Sequence, residues 1–149
     1  MNALQSLPEY EIFIYTLPQH NPGVARCTLV VARRGAMAAT LSGAIEFHNG
    51  LRLIVREILS FAPTGQIKSY GYEAWRGQDL LYWYDSQPHP NDPTLASTHP
   101  HHKHLPPDIK HHRVPAPGLS FSQPNLPFLI AEILEFLLSA ESATRSRSV

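Results

Sequence analysis

Two β-like runs that meet at Asn49 and Gly50 constrain the fold of this chain more than any other feature. They span residues 39–61, ATLSGAIEFHNGLRLIVREILSF. Asn-Gly is favoured in tight hairpins because both residues tolerate a positive φ, so the sequence predicts an antiparallel hairpin centred on this pair. A helix over residues 51–61 is the alternative, because short apolar runs suit both elements. If the second arm is a strand, its side chains alternate between two faces, with Leu51, Leu53, Val55 and Glu57 on one and Arg52, Ile54, Arg56 and Ile58 on the other.

The other segments extend this sheet and add one helix. EYEIFIYTLP (residues 9–18) alternates well enough to predict a strand, and VARCTLVVARR (residues 24–34) is β-branched and apolar, which predicts a second one. IKSYGYEAW and LLYWYD bracket a polar turn at residues 76–79, which predicts a second hairpin. Prolines and histidines interrupt residues 86–124, so this segment is predicted to be mostly loop. Asn125 is a suitable helix N-cap with Pro127 in the first turn, and the helix is predicted to run to about residue 140.

These elements predict an α+β fold: a single antiparallel β-sheet of about five to seven strands, a C-terminal α-helix packed on one face, and a long loop rich in histidine and proline. A chain of 149 residues that is 43% hydrophobic suits one core. We expect one domain over residues 1–140 and a disordered basic tail over residues 141–149.

Charge and apolar content exclude several classes of function. Twelve basic and twelve acidic residues cancel, so the field of the whole molecule does not attract nucleic acid or an anionic membrane. Any site for a polyanion must therefore be local. No segment approaches the roughly 20 apolar residues of a membrane helix, and no secretion signal is evident, so we expect a cytoplasmic protein that does not bind membranes. The single cysteine, Cys27, lies in an apolar run and is predicted to be packed and unreactive.

Histidine is the outlier of the composition, and most of it lies in one segment. Six of the nine histidines fall within residues 99–112. Imidazole exchanges protons near neutral pH, which makes the segment a candidate for proton-transfer chemistry. If the HPHHKH run is extended, His102 and His104 share one face, and His101 and Lys103 share the other.

Four pieces of the sequence resemble elements of the TumE-like toxin family. They are FHNGLRLIVRE, SYGYEAWRGQDLLYWYD, SQPHP and HPHHKH, and the resemblance covers about residues 43–138. Two positions depart from the family pattern: Trp83 stands where an arginine is usual, and Ser86 where an asparagine is usual. The resemblance implies a toxin of a type II toxin–antitoxin system whose partner is a helix-turn-helix antitoxin from a neighbouring gene. It does not identify the molecular target.

Small toxins commonly act on RNA, and the residues suit a metal-independent ribonuclease. Such a reaction needs a base, an acid and a cation that stabilises the charge on phosphorus. His102 and His104 are the first candidates for acid and base, and His101 is a further one. Asp85 and Glu57 either orient a histidine or act as the base. The predicted phosphate contacts are Lys103, Arg56 and Arg52, and the predicted substrate-binding side chains include Tyr72, Tyr82, Tyr84 and His89, where tyrosines stack on bases.

Several alternatives stay open at this stage. No cofactor is expected, but imidazoles two residues apart, such as His102 with His104 or His99 with His101, also suit zinc, with His89, His111 or His112 completing a hydrolase site. The protein is otherwise a non-enzymatic module that binds the antitoxin or another protein, and a homodimer is compatible with the sequence. Tyrosines that alternate in a hairpin commonly pack a sheet, and a histidine-rich tract is also typical of a solvated loop.

Overall fold

An antiparallel sheet of eight strands organises the part of the chain that the computed structural model describes, residues 2–86, 101–109 and 112–135. The strands follow one another in space as β1-β3-β4-β5-β6-β7-β8, and β2 also pairs with β3. Their bounds are β1 Val24–Cys27, β2 Val30–Arg33, β3 Ala38–Phe47, β4 Leu51–Ser60, β5 Gln66–Arg76, β6 Asp79–Asp85, β7 His102–His104 and β8 Arg113–Pro115. With a C-terminal helix on this sheet, the predicted α+β class is confirmed.

The Asn-Gly hairpin is confirmed, with one difference in its turn. The β3 and β4 strands pair from Ala38 opposite Ser60 to Glu46 opposite Arg52. Gly50 has a φ of 89°, whereas Asn49 does not adopt a positive φ. Instead, the Asn49 side chain accepts a hydrogen bond from the Leu51 amide at 3.0 Å, which closes the turn.

The two faces of the sheet differ as the alternation of β4 predicts. Leu51, Leu53, Val55 and Glu57 are buried, while the side chains between them are more exposed. The helices cover the buried side, which we call the helical face. The other side, the opposite face, carries Arg52, Ile54, Arg56 and Ile58 of β4. The hairpin around residues 76–79 is also confirmed, with Gly77 at a φ of 58°.

The segment at residues 9–18 is a helix, so its prediction as a strand is wrong. Helix α1 spans Leu7–Tyr15, and a four-residue helix α2 spans Leu17–His20. The Ser6 side chain caps α1 by accepting from the Glu9 amide at 3.2 Å, with a proline in the first turn. Leu7, Tyr10 and Ile14 are buried, and their spacing of three and four residues is that of a helix face. The alternation of polar and apolar residues at the start of the segment conceals this spacing.

One other sequence prediction needs correction. The segment at residues 24–34 forms two short strands rather than one, because the strand is interrupted at residues 28–29; both β1 and β2 pair with the longer β3. Cys27 packs against the core, as predicted. The segment at residues 86–124, predicted to be mostly loop, contains β7 and β8, which extend the sheet beyond β6. Residues 87–100 lie outside the described residues.

The C-terminal helix, α3, begins as predicted but is capped differently. It covers residues 126–135 of the described chain, and the Leu129 amide donates to the Asn125 carbonyl at 3.1 Å. The side chain of Asn125 instead accepts from the Ser120 amide at 2.9 Å and donates to the Tyr72 hydroxyl at 3.0 Å. The predicted helix end near residue 140 and the basic tail at residues 141–149 lie outside the described residues. In the described part of the chain, no helix has both the length and the apolar character needed to cross a membrane.

Glu57 is a carboxyl group buried on the helical face. It is fully buried, Tyr10 of α1 donates to its Oε1, and Tyr72 of β5 donates to its Oε2 at 2.5 Å. Burial raises the pKa of Glu57, against the opposing effect of the two hydrogen bonds from tyrosine. The carboxyl group therefore joins α1, β4 and β5.

Replacing Glu57 with leucine should lower the free energy of unfolding by about 2–5 kcal/mol, because two buried hydroxyls lose their acceptor at roughly 1–3 kcal/mol each. Urea unfolding followed by circular dichroism measures this change. Glu46→Leu, on the exposed side of β3, is the matched control and should change the stability by less than about 0.5 kcal/mol. Equal effects of the two variants would show that the buried carboxyl group does not hold these elements together.

Candidate active site

Three side chains from β6 and β7 converge on the opposite face of the sheet. The register of this strand pair places Asp85 opposite His102 and Trp83 opposite His104. Side chains of directly paired residues point to the same side. Asp85, His102 and His104, which we call the Asp85 cluster, therefore meet although the two strands are separate in sequence.

The carboxylate of Asp85 is the centre of this cluster. Its Oδ1 contacts His102 Nε2, and its Oδ2 lies 3.2 Å from His104 Nε2. The indole N–H of Trp83 donates to Oδ2 at 3.0 Å. The side chains of His102 and His104 are 1% and 2% exposed, whereas that of Asp85 is 19% exposed. Asp85 is therefore the most exposed member of the cluster.

His104 has a defined orientation. Its Nδ1 is 2.8 Å from the carbonyl oxygen of Ile109, and because a carbonyl only accepts, Nδ1 carries a proton and donates it there. The Nε2 atom then points at Asp85, and the ring stacks on Trp83 with centroids 4.0 Å apart. Burial lowers the pKa of His104, and the hydrogen bond to Ile109 and the charge of Asp85 partly offset this effect.

A pocket of about 250 Å³ opens beside Asp85 on the opposite face. Arg56 and Asp85 both border it, on either side of Gly71, which pairs with each of them across the sheet. A Cβ atom on residue 71 would stand 2.6 Å from Arg56 Nη2. Because Gly71 has no side chain, the Arg56 guanidinium can lie over β5. The lining residues are Arg56, Gly71, Tyr72, Glu73, Trp83, Tyr84 and Asp85.

Lys103 and His101 lie on the helical face, as the predicted alternation requires. Lys103 Nζ is 3.3 Å from Glu132 of α3 and 4.3 Å from the centre of the Tyr82 ring. His101 Nδ1 is 2.6 Å from the Tyr70 hydroxyl, and the two rings stack. Neither side chain joins the Asp85 cluster, so the structure does not bring together the four histidine and lysine candidates of residues 101–104.

The structure also separates the other predicted site residues. Glu57 is on the helical face, and Tyr72, Tyr82 and Tyr84 are buried there, so their rings are not placed to stack on bases. Trp83 and Trp75 do lie on the opposite face, and the Arg52 guanidinium lies 5.7 Å from the centre of the Trp75 ring. The predicted residues His89, His99 and His111 lie outside the described residues.

Sequence reasoning missed three residues of this region. The sequence shows Trp83 only as a departure from the family pattern. Because Trp83 stands two residues before Asp85 on one strand, the two side chains lie on the same face. A glycine inside a strand, such as Gly71, often marks a close approach. Ser86 continues the β5–β6 pairing because its hydroxyl accepts from the Tyr70 amide at 2.9 Å.

Fold and site together define a small α+β protein with a carboxylate–imidazole cluster on one face of an antiparallel sheet. A family model described as Toxin TumE matches residues 15–137, which is most of the chain. The protein therefore belongs to the TumE toxin family, and membership in a family of toxin–antitoxin toxins implies an antitoxin partner. Neither a comparison with curated proteins nor one with solved structures found a match.

Replacing Asp85 with asparagine should lower the pKa of His104 further, because the carboxylate charge raises it in the native protein. We expect titration of the His104 ring, followed by nuclear magnetic resonance, to shift to lower pH in Asp85→Asn. Glu73→Gln is the matched control, since it removes a carboxylate from the same pocket without touching the cluster. A shift of similar size in both variants would contradict the arrangement described above.

Proposed function

We propose that this toxin cleaves RNA without a metal ion, with Asp85 as the base and Arg56 as the phosphate contact. One observation carries the proposal: a carboxylate in contact with two imidazoles opens onto the same pocket as an arginine. A carboxylate in reach of a bound hydroxyl can remove its proton, and a guanidinium stabilises charge on a phosphate.

The reaction needs one proton acceptor and one cation at the phosphate. Asp85 accepts the proton of a ribose 2′-hydroxyl, and the 2′-oxygen then bonds to phosphorus. The bond from phosphorus to the 5′-oxygen breaks, the leaving oxygen takes a proton from water, and a 2′,3′-cyclic phosphate forms. His102 and His104 lie behind the carboxylate, where their ring nitrogens share the proton that it receives.

RNA suits the pocket and its surroundings. A volume of about 250 Å³ is below the roughly 300–1,000 Å³ of pockets for a whole drug-sized ligand, which favours one unit of a longer strand. Arg52 lies on the same face of β4 as Arg56 and beside Trp75, so a strand that crosses the face meets a second cation and an aromatic ring. Although the net charge is zero, these arginines supply the local positive charge that a polyanion needs.

The partner that we propose is a helix-turn-helix antitoxin from a type II system. Membership in the toxin family supports an antitoxin partner. We propose in addition that this antitoxin is a protein and that it has a helix-turn-helix fold. Expression of the toxin alone should arrest growth, and a helix-turn-helix protein from the adjacent gene should restore it. Whether the toxin is a homodimer stays a prediction.

Replacing Asp85 with asparagine should slow cleavage roughly 10²- to 10⁴-fold, which is the usual contribution of a general base. Arg56→Gln should slow it about 10- to 100-fold, because a hydrogen bond to a charged group contributes roughly 1.5–3 kcal/mol. The measurement is the cleavage rate of a labelled single-stranded RNA by purified full-length protein in EDTA. Cleavage by wild-type protein that disappears in EDTA would contradict the metal-free mechanism.

Two further variants separate the position of Arg56 from its charge. Arg52→Gln, which removes a cation from the same face of the same strand, should reduce the rate less than Arg56→Gln does. Gly71→Ala keeps every charge but displaces the Arg56 guanidinium, so it should slow cleavage with an unchanged thermal transition. If Gly71→Ala cleaves like wild type, Arg56 does not act from its place over β5.

A further inference from the structure

The atoms of the Asp85 cluster have the separation and chemistry of metal ligands. One ligand atom from each of Asp85, His102 and His104 lies within 4.8 Å of the others. Imidazole nitrogen and carboxylate oxygen bind zinc at about 2.0–2.2 Å, so two ligands of one tetrahedral ion stand roughly 3.4 Å apart. His104 Nε2 and Asp85 Oδ2 are 3.2 Å apart, which is close to that separation.

The hydrogen bond on the far side of the His104 ring favours a cation between His104 Nε2 and Asp85 Oδ2. Its Nδ1 donates to the Ile109 carbonyl at 2.8 Å, so in the neutral ring Nε2 has a lone pair and no proton. This lone pair points at an oxygen of Asp85 that also carries lone pairs. Two acceptors that face each other repel, and a positive ion between them removes the repulsion.

The surroundings of the cluster match the outer contacts of metal sites. A histidine that binds a metal commonly donates its other N–H to a carbonyl, and a ligating carboxylate is commonly hydrogen-bonded. His104 donates to Ile109, and Asp85 Oδ2 accepts from Trp83 at 3.0 Å. Both imidazoles are buried, while Asp85 borders the pocket, so an ion there would have one open position on the pocket side.

We propose that Asp85, His102 and His104 bind Zn²⁺, and that the bound ion inhibits RNA cleavage. Two nitrogen ligands and one oxygen ligand suit zinc. The ion takes the same lone pairs through which Asp85 and the imidazoles would accept protons, so the base is lost while the ion is bound. The inhibition rests on the function proposed above, whereas the binding does not depend on it.

Co²⁺ added to the full-length, metal-free protein tests the binding directly. Co²⁺ in a four-coordinate site absorbs visible light much more strongly than the hydrated ion, so titration should give a saturable spectrum that Zn²⁺ displaces. Zn²⁺ should also raise the thermal midpoint, because it binds only the folded chain. Asp85→Asn and His104→Gln should lose both responses. His112→Ala, which removes an exposed histidine of the same region, should retain them.

Cleavage measured on the same samples tests the inhibition. Zn²⁺ should suppress RNA cleavage by wild-type protein, and EDTA should restore it. If wild type shows neither a Co²⁺ spectrum nor a shift of the midpoint, the metal site is wrong, while cleavage in EDTA still supports the proposed function. If the spectrum forms but cleavage requires the ion, the site is correct, and both the inhibition and the metal-free mechanism are wrong.

Discussion

The pairing of β6 with β7 is the interaction on which the candidate site depends. It sets Asp85 opposite His102 and Trp83 opposite His104, and pairing of β6 with β5 sets Gly71 opposite Asp85. A slip of one residue in either pair would send the side chains of one strand to the other face. One hydrogen-bonded row across the sheet therefore carries Arg56, Gly71, Asp85 and His102, and neither β6 nor β7 makes the site alone.

The two faces of the sheet separate structural polar groups from the candidate chemistry. On the helical face, Glu57 is satisfied by two tyrosines and Lys103 lies against Glu132 of α3. Buried polar groups need such partners, and these ones fasten the helices to the sheet. On the opposite face, Asp85 contacts three side chains yet keeps part of its surface exposed. Glu57 and Asp85 both carry a carboxyl group, so side-chain chemistry does not distinguish their roles. The face of the sheet on which each one lies does.

The burial of His102 and His104 shapes both proposals. Because the rings are almost inaccessible, a proton or an ion reaches them beside Asp85 rather than through open solvent. Protons and metal ions compete for the same lone pairs, so under the two proposals the occupancy of the cluster would decide whether a base is present. Arg56 stands across Gly71 from this cluster and so contributes positive charge where a phosphate would lie.

The sequence by itself determined the Asn-Gly hairpin, the alternation of β4, the split of residues 101–104 between two faces, and the start of the C-terminal helix. These features depend on local geometry, which a short segment carries within itself. The prediction of a strand at residues 9–18 was wrong, because alternation in that segment conceals a helical face that only packing against the sheet makes favourable. Only the tertiary structure decided that Asp85 joins His102 and His104 and that Glu57, Lys103 and the tyrosines do not. The physical reason is that strand order and register bring distant residues together, and no local pattern in the chain specifies them.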